Sequence, residues 1–158
     1  MTAAESLPPR DPPRPDIESP FLRRTAVRAG ISDERLGGPQ FRRLFRGVHV
    51  HAGVPVTLSL RARAALEAAP RGSIVSHHSA ARLWGGSVPD TSDVHLTLPP
   101  GTTMRRAGIV AHRPRALPPA RLRRGVPVTG PEGTFVALAA YLTLIDLVVL
   151  GDSLVRAG

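Results

Sequence analysis

Glycine and proline punctuate this sequence so closely that nearly every apolar stretch ends at one of them. Gly30, the run Gly37, Gly38 and Pro39, then Pro70, Gly72, Gly85 and Gly86 each stop a segment of helical or strand-like pattern. Proline cannot continue a helix or a central strand, and glycine loses the most backbone entropy on ordering. The chain is therefore restricted to short elements. Their patterns alternate between helical and strand spacing, which predicts an α+β fold.

Ser19 followed by Pro20 has the form of an N-cap with proline at the first helical position, predicting a helix over 21–29 that Gly30 ends. Ser32 caps a second helix, with Asp33 and Glu34 in its first turn. FRRLFRGVHVHAG at 41–53 mixes aromatic and β-branched residues in loose alternation and predicts a strand or hairpin. Leu58, Ala62, Ala65, Leu66 and Ala69 recur at helical spacing. Residues 73–76 predict a short strand, and Ser76 a cap for a two-turn helix through Trp84 closed by Gly85. Residues 94–98 and 108–112 predict two strands joined as a hairpin with a basic tip at Arg105 and Arg106. A further strand over 126–129 leads to Thr129 and Glu132, whose capping-box spacing predicts a helix over 131–141. A last helix follows Thr143. Residues 134–150 are apolar, but they are few for a span and carry Asp146, which predicts two packed core helices rather than a membrane crossing.

Composition narrows the chemistry. With no cysteine, disulfide frameworks, thiol catalysis and cysteine-ligated zinc are excluded. The opening MTAAESLPPRDPPRPD lacks a cationic stretch followed by an apolar core, so a cytoplasmic location is expected. Residues 1–19, rich in proline and charge, predict a disordered arm. The formal charge is +9, carried by 21 arginines and no lysine. A coding sequence rich in G and C also favours arginine over lysine, so distribution is more informative than the total. Six arginines and no acid lie between Arg35 and Leu66, and seven arginines and no acid between Val94 and Pro131. Such blocks suit a polyanion, because arginines displace counterions from phosphates.

The sharpest local pattern is LRRTAVRAGISDERL at 22–36. A DNA-reading helix-turn-helix needs a small residue where its helices cross, a glycine in the turn, and an apolar anchor in the second helix. Ala26, Gly30 and Leu36 meet those needs, with Ile31 filling the turn. An ordinary αα-hairpin accounts for the same residues equally well, and Asp33 and Glu34 at the head of the second helix would repel DNA. The basic segment at 41–53 would serve as the wing of a winged helix.

Catalysis is not expected. Ser76, His77 and Asp93 make a triad on paper, but no GxSxG elbow accompanies them. A GxxxxGK phosphate loop and an acid-x-lysine nuclease pair both require a lysine the chain lacks. His49 and His51 share one side of a strand, as metal pairs do, but no third ligand is identifiable. His77, His78, His95 and His112 are scattered over other elements. No metal or cofactor is expected.

FRRLFRGVHV at 41–50, SHHSAARLWG at 76–85, VHLTLPPG at 94–101, GIVAHR at 108–113 and GVPVTGPEGT at 125–134 together resemble, in order and spacing, one family. It is the amino-terminal half of actinobacterial proteins that join an AbiEi-type antitoxin-like region, of the type IV toxin-antitoxin kind, to a domain of the very-short-patch-repair endonuclease type. The resemblance covers about residues 20–158. It implies a winged-helix region that represses its own operon and a following α/β region that counters a nucleotidyltransferase toxin. Family members continue past the SLVRAG at 153–158 into the nuclease-like domain, so that domain is expected to be absent here. In the family pattern an arginine and, four residues on, an aspartate follow the strand ending at Thr129; Gly133 and Ala137 stand in their places.

The resulting expectation is a disordered arm over 1–19, a reduced winged helix-turn-helix over 20–53 and a small mixed α/β antitoxin-like region over 54–158. The expected function is DNA-binding regulation or antitoxin activity without catalysis. Arg23, Arg24, Arg28, Arg42, Arg43 and Arg46 are the phosphate-contacting candidates, with Arg105 and Arg106 second. The expected partners are double-stranded DNA and a cognate toxin or nuclease-like chain, with no membrane. The competing expectation is a protein-interaction module, the recognition half of an endonuclease-like protein, motivated by the apolar final helices.

Overall fold

The computed structural model describes Asp16 and residues 18–157. Apart from Asp16, Glu18 and Ser19, the expected arm lies outside the described residues. The fold is mixed α+β, with two sheets and six helices among the described residues.

The first sheet is small and antiparallel. Strands β1 (Phe21–Leu22), β2 (Phe41–Phe45) and β3 (Val48–His51) lie in the order β1-β3-β2. Helices α1 (Arg23–Arg28) and α2 (Asp33–Gly37) are inserted between β1 and β2. The expected helix start at Ser19 and Pro20 is therefore wrong: Phe21 and Leu22 pair with His49 and Val48, and helix begins only at Arg23. A ladder with β3 overrides the local capping signal, which the sequence of 19–22 alone could not reveal. Ser32 does cap α2, its hydroxyl accepting from the Arg35 amide at 3.3 Å. The 41–53 hairpin forms as expected.

Helix α3 (Leu58–Ala68) follows, capped by the Thr57 hydroxyl accepting from the Leu60 amide. Then come β4 (Ile74–Val75), α4 (His77–Trp84), β5 (Val94–Thr97), β6 (Ile109–His112), β7 (Ala120–Arg123), β8 (Val126–Thr129), α5 (Pro131–Leu138) and α6 (Leu144–Ala157). The five strands form one sheet in the order β6-β5-β4-β8-β7. Ala62, Ala64 and Ala65 of α3 pack on one face, against Val94, Leu96, Ile109, Val126 and Val128. Because side chains alternate along a strand, His95, Thr97, His112 and Thr129 point to the other face. Helices α4, α5 and α6 pack together around Ala81, Leu138, Leu150 and Leu154.

Four further expectations are corrected. Strands β5 and β6 are parallel, with Val94 opposite Ile109 and Thr97 opposite His112, so 94–112 is not a hairpin. Residues 98–108 carry the chain back to the same edge, and it reverses at Gly108, whose φ of +81° suits glycine. Thr129 and Glu132 form no capping box: the Thr129 hydroxyl donates to the Val75 carbonyl at 3.1 Å, and Gly130 occupies the cap position. Ser76 stands at the head of α4 but makes no cap bond, its hydroxyl meeting His77 instead. Helix α5 stops at Leu138 rather than 141. Strand β7, unexpected from the sequence, is an exposed edge whose residues ARLR alternate apolar and charged over only four positions, with Leu122 left 77% exposed. Among the described residues no helix is long and apolar enough to cross a membrane.

Candidate functional site

Two sites emerge, one foreseen and one not. The foreseen site begins with the turn between α1 and α2. Ala26 is fully buried among Phe21, Leu36, Ile31 and Phe41, and Gly30 takes φ +84° where the chain changes direction. The Phe21 and Phe41 rings meet edge to face at 5.7 Å.

Around this small core stand the eight predicted arginines. Arg23, Arg24, Arg28, Arg42, Arg43, Arg46 and Arg105 are exposed and Arg106 is half-buried. Arg23 is engaged: its guanidinium forms a two-pronged pair with the Asp33 carboxylate, one bond at 2.7 Å. That pairing offsets one of the two acids at the head of α2; Glu34, the other, has no basic partner within ion-pair distance among the described residues. Among the described residues the other seven have no acid partner within ion-pair distance. Arg23 and Arg43 flank one shallow depression beside His49. At the β2–β3 turn, Arg106 donates to the Arg46 carbonyl, so the loop carrying Arg105 and Arg106 joins the hairpin tip. Two arginine groups 60 residues apart in the chain thus meet on one surface.

His49 and His51 do not act together. His49 is buried and stacked near Phe21, while the His51 ring accepts from the Gly53 amide. Burial, then the charges of Arg43 and Arg23, hold His49 below the usual histidine range.

The second site is a histidine cluster that the sequence did not reveal. The four histidines expected to be scattered converge at the head of α4 and the β5–β6 edge. The His77 and His112 rings stack at 3.4 Å between centroids, inclined by 11°. His95 Nδ1 and His112 Nε2 share a hydrogen bond at 3.1 Å. His78 lies against His95 at 4.9 Å, and Tyr141 stands edge-on to His77 at 5.5 Å. Parallel pairing creates this contact, because Thr97 opposes His112 and places His95 diagonally beside it. His77 itself takes φ +51°, a left-handed conformation uncommon for a side-chain-bearing residue and frequent at functional sites.

Such crowding keeps the imidazoles neutral. Burial, followed by the neighbouring His112, His95 and His78, pushes His77 down to about 3. Burial, then His78 and His112, lowers His95 to about 4, with Asp93 acting in the opposite direction. His112 and His78 are also held down, chiefly by burial. Ser76 and His77 do share a hydrogen bond at 2.9 Å, but an imidazole held near 3 is a poor base for a serine proton at neutral pH. Among the described residues no three histidines and acids are arranged to hold a metal ion.

Of the cluster, His77 and His112 line a cleft of about 600 Å³. Tyr141, Pro114, Pro118, Val136 and Ala137 supply apolar walls, and Arg113 and Glu132 stand at its edge. Gly133 lets α5 approach β8 closely: a Cβ there would lie 2.9 Å from the Thr129 methyl.

No family model and no curated protein matches this chain. Among solved structures its fold is similar to that of the RV2827C protein from Mycobacterium tuberculosis, with a TM-score of 0.57 and 18% identity. The likeness covers 89% of this chain and 63% of that one, so the chain spans less than two thirds of its neighbour. At this identity the likeness is one of fold alone.

Proposed function

We propose that this chain is a DNA-binding regulator of the antitoxin-like kind, acting without catalysis, with residues 20–53 working as a reduced winged helix. One observation carries the reading: seven of the eight candidate arginines have no acid partner among the described residues, and Arg46 and Arg106 are brought together at the hairpin tip. An unneutralised cationic surface is what counterion release from DNA requires. The turn packed on Ala26 and Leu36 supports the helix-turn-helix reading, and the Arg23–Asp33 pair offsets one of the two acids at the head of α2. The antitoxin role and the cognate toxin rest on the resemblance of the motifs from 41 to 134.

The test is fluorescence anisotropy of the chain against its own upstream DNA and a scrambled duplex across a salt series. A preference for the upstream sequence that persists at physiological salt is the expected result. Equal, salt-fragile affinity for both duplexes would reduce the arginines to a generic basic surface.

A second reading, the protein-interaction module, is favoured by one feature of α6. Leu144, Ile145, Val148 and Val155 are 77%, 77%, 57% and 83% exposed on a single helix, an apolar patch of the kind that marks interfaces. Under this reading Ile145→Glu changes the sedimentation behaviour of the chain and leaves DNA affinity untouched.

A further inference from the structure

The cleft beside the histidine cluster is built from parts that point to one ligand chemistry. We infer that it binds a small planar aromatic acid, a flat ring bearing one carboxylate. This inference stands apart from the DNA reading, since none of the eight candidate arginines lines the cleft.

The ring half follows from the walls. Tyr141, Val136, Ala137 and the prolines 114 and 118 offer flat apolar surface, and the stacked His77 and His112 rings extend it. Both imidazoles are held neutral at physiological pH, so they meet a π system without the cost of a buried cation. The volume of about 600 Å³ lies in the range of small-molecule sites.

The acid half follows from four features of the same cleft. Thr97 is only 3% exposed, lines the cleft, and its hydroxyl has no hydrogen-bond partner among the described residues. Its oxygen is not one of the buried unpartnered atoms, which among the described residues are His49 Nδ1 and His78 Nδ1, so it is open to the cleft and free to donate to an acceptor there. Arg113 lines the cleft with no acid within ion-pair distance among the described residues. Glu132, the one acid there, is turned to Arg121 at 3.6 Å. Lastly, α4 and α5 both begin at the cleft, at Ser76–His77 and Glu132–Gly133, and neither has a side-chain cap. The first-turn amides and dipole of α4 favour an anion, whereas at α5 Pro131 has no N–H to offer and Glu132 already places a carboxylate in the first turn. The charge facing the cleft is one free guanidinium, which matches a single carboxylate rather than a polyanion.

The full chain should be titrated with 2-naphthoate, and in parallel with uncharged 2-naphthamide and with sulfate, by calorimetry and by the ring resonances of the histidines. The expected result is binding of 2-naphthoate that moves the His77 and His112 resonances, with the amide and sulfate each weaker by about tenfold or more. Arg113→Ala, at an exposed position that does not threaten the fold, should weaken 2-naphthoate by about tenfold and leave the amide unchanged, and Thr97→Val should weaken 2-naphthoate by a smaller factor. Equal affinity for acid and amide would overturn the acid half, and equal affinity for 2-naphthoate and sulfate the ring half. No shift of the cleft histidines at millimolar 2-naphthoate would overturn the whole.

Discussion

The arginine surface around α1, α2 and the β2–β3 hairpin contrasts with the histidine cleft in how each handles charge. On the surface, cations stand in water, where a guanidinium keeps its proton and loses little by lacking a partner. In the histidine cluster beside the cleft, ionisable rings are packed against one another and the fold holds them neutral, His77 to about 3 and His95 to about 4. The first region is therefore built to present charge, and the second is stable only while charge is kept out.

That contrast breaks most readily with acid. Each histidine of the cluster has a folded pKa below its unfolded value near 6.5, so the unfolded chain binds protons that the folded one refuses. Stability is fully present above about pH 6.5 and falls as the pH drops toward 4, by up to about 1.4 kcal/mol per pH unit for each strongly depressed imidazole. Urea melts at about pH 7, 6 and 5 check this, since in that interval histidine is the main side chain that titrates. A midpoint that stays flat over that interval would show that the cluster does not exclude protons. His77→Gln should reduce the slope by the share of that residue, leaving those of His95, His112 and His78 and of His49 in the other region.

Charge reversal tests the opposite region. The triple change Arg42→Glu, Arg43→Glu and Arg46→Glu should lower DNA affinity at least about 100-fold at low salt and reduce the salt slope by about 0.9 for each phosphate no longer neutralised. Circular dichroism should not change, because all three side chains are exposed. Unaltered binding would leave the arginines as solubilising charge only.

Smaller effects probe the turn that shapes that surface. Gly30→Ala meets no atom within 4 Å, so its cost is the left-handed backbone alone, about 1–2 kcal/mol by chemical denaturation. Ser32→Ala removes one exposed cap bond and should cost about 0.5–1 kcal/mol. If Gly30→Ala were neutral, the turn would not hold the +84° it shows here.

The two regions also differ in how far they can be read from sequence. Ala26, Gly30, Ser32 and Leu36 lie within eleven consecutive residues, and each does a job that its own chemistry announces. The histidines at 95 and 112 are joined only by strand register, and His77 at the head of α4 and Tyr141 beyond α5 meet them only through the packing of those helices on the sheet. A hairpin over 94–112, which the spacing suggested, pairs the strands in the opposite sense; the parallel pairing that unites His95 with His112 depends on the loop 98–108 crossing back. Arg46 and Arg106 were both legible as cations, but their meeting depends on that same loop. Strand β1 was hidden for a related reason, since its pairing partner lies more than 25 residues downstream.

Phe45 and Val48 of the hairpin are buried in the same core as α3, β5 and β8, and Gly108 approaches the Phe45 ring so closely that a Cβ would sit 3.1 Å from it. The basic region is consequently not a severable module. Cut out alone, it would leave these side chains without the surface they pack on, so it should neither fold nor bind as a fragment, and the whole chain should melt in one cooperative step, with calorimetric and van't Hoff enthalpies equal.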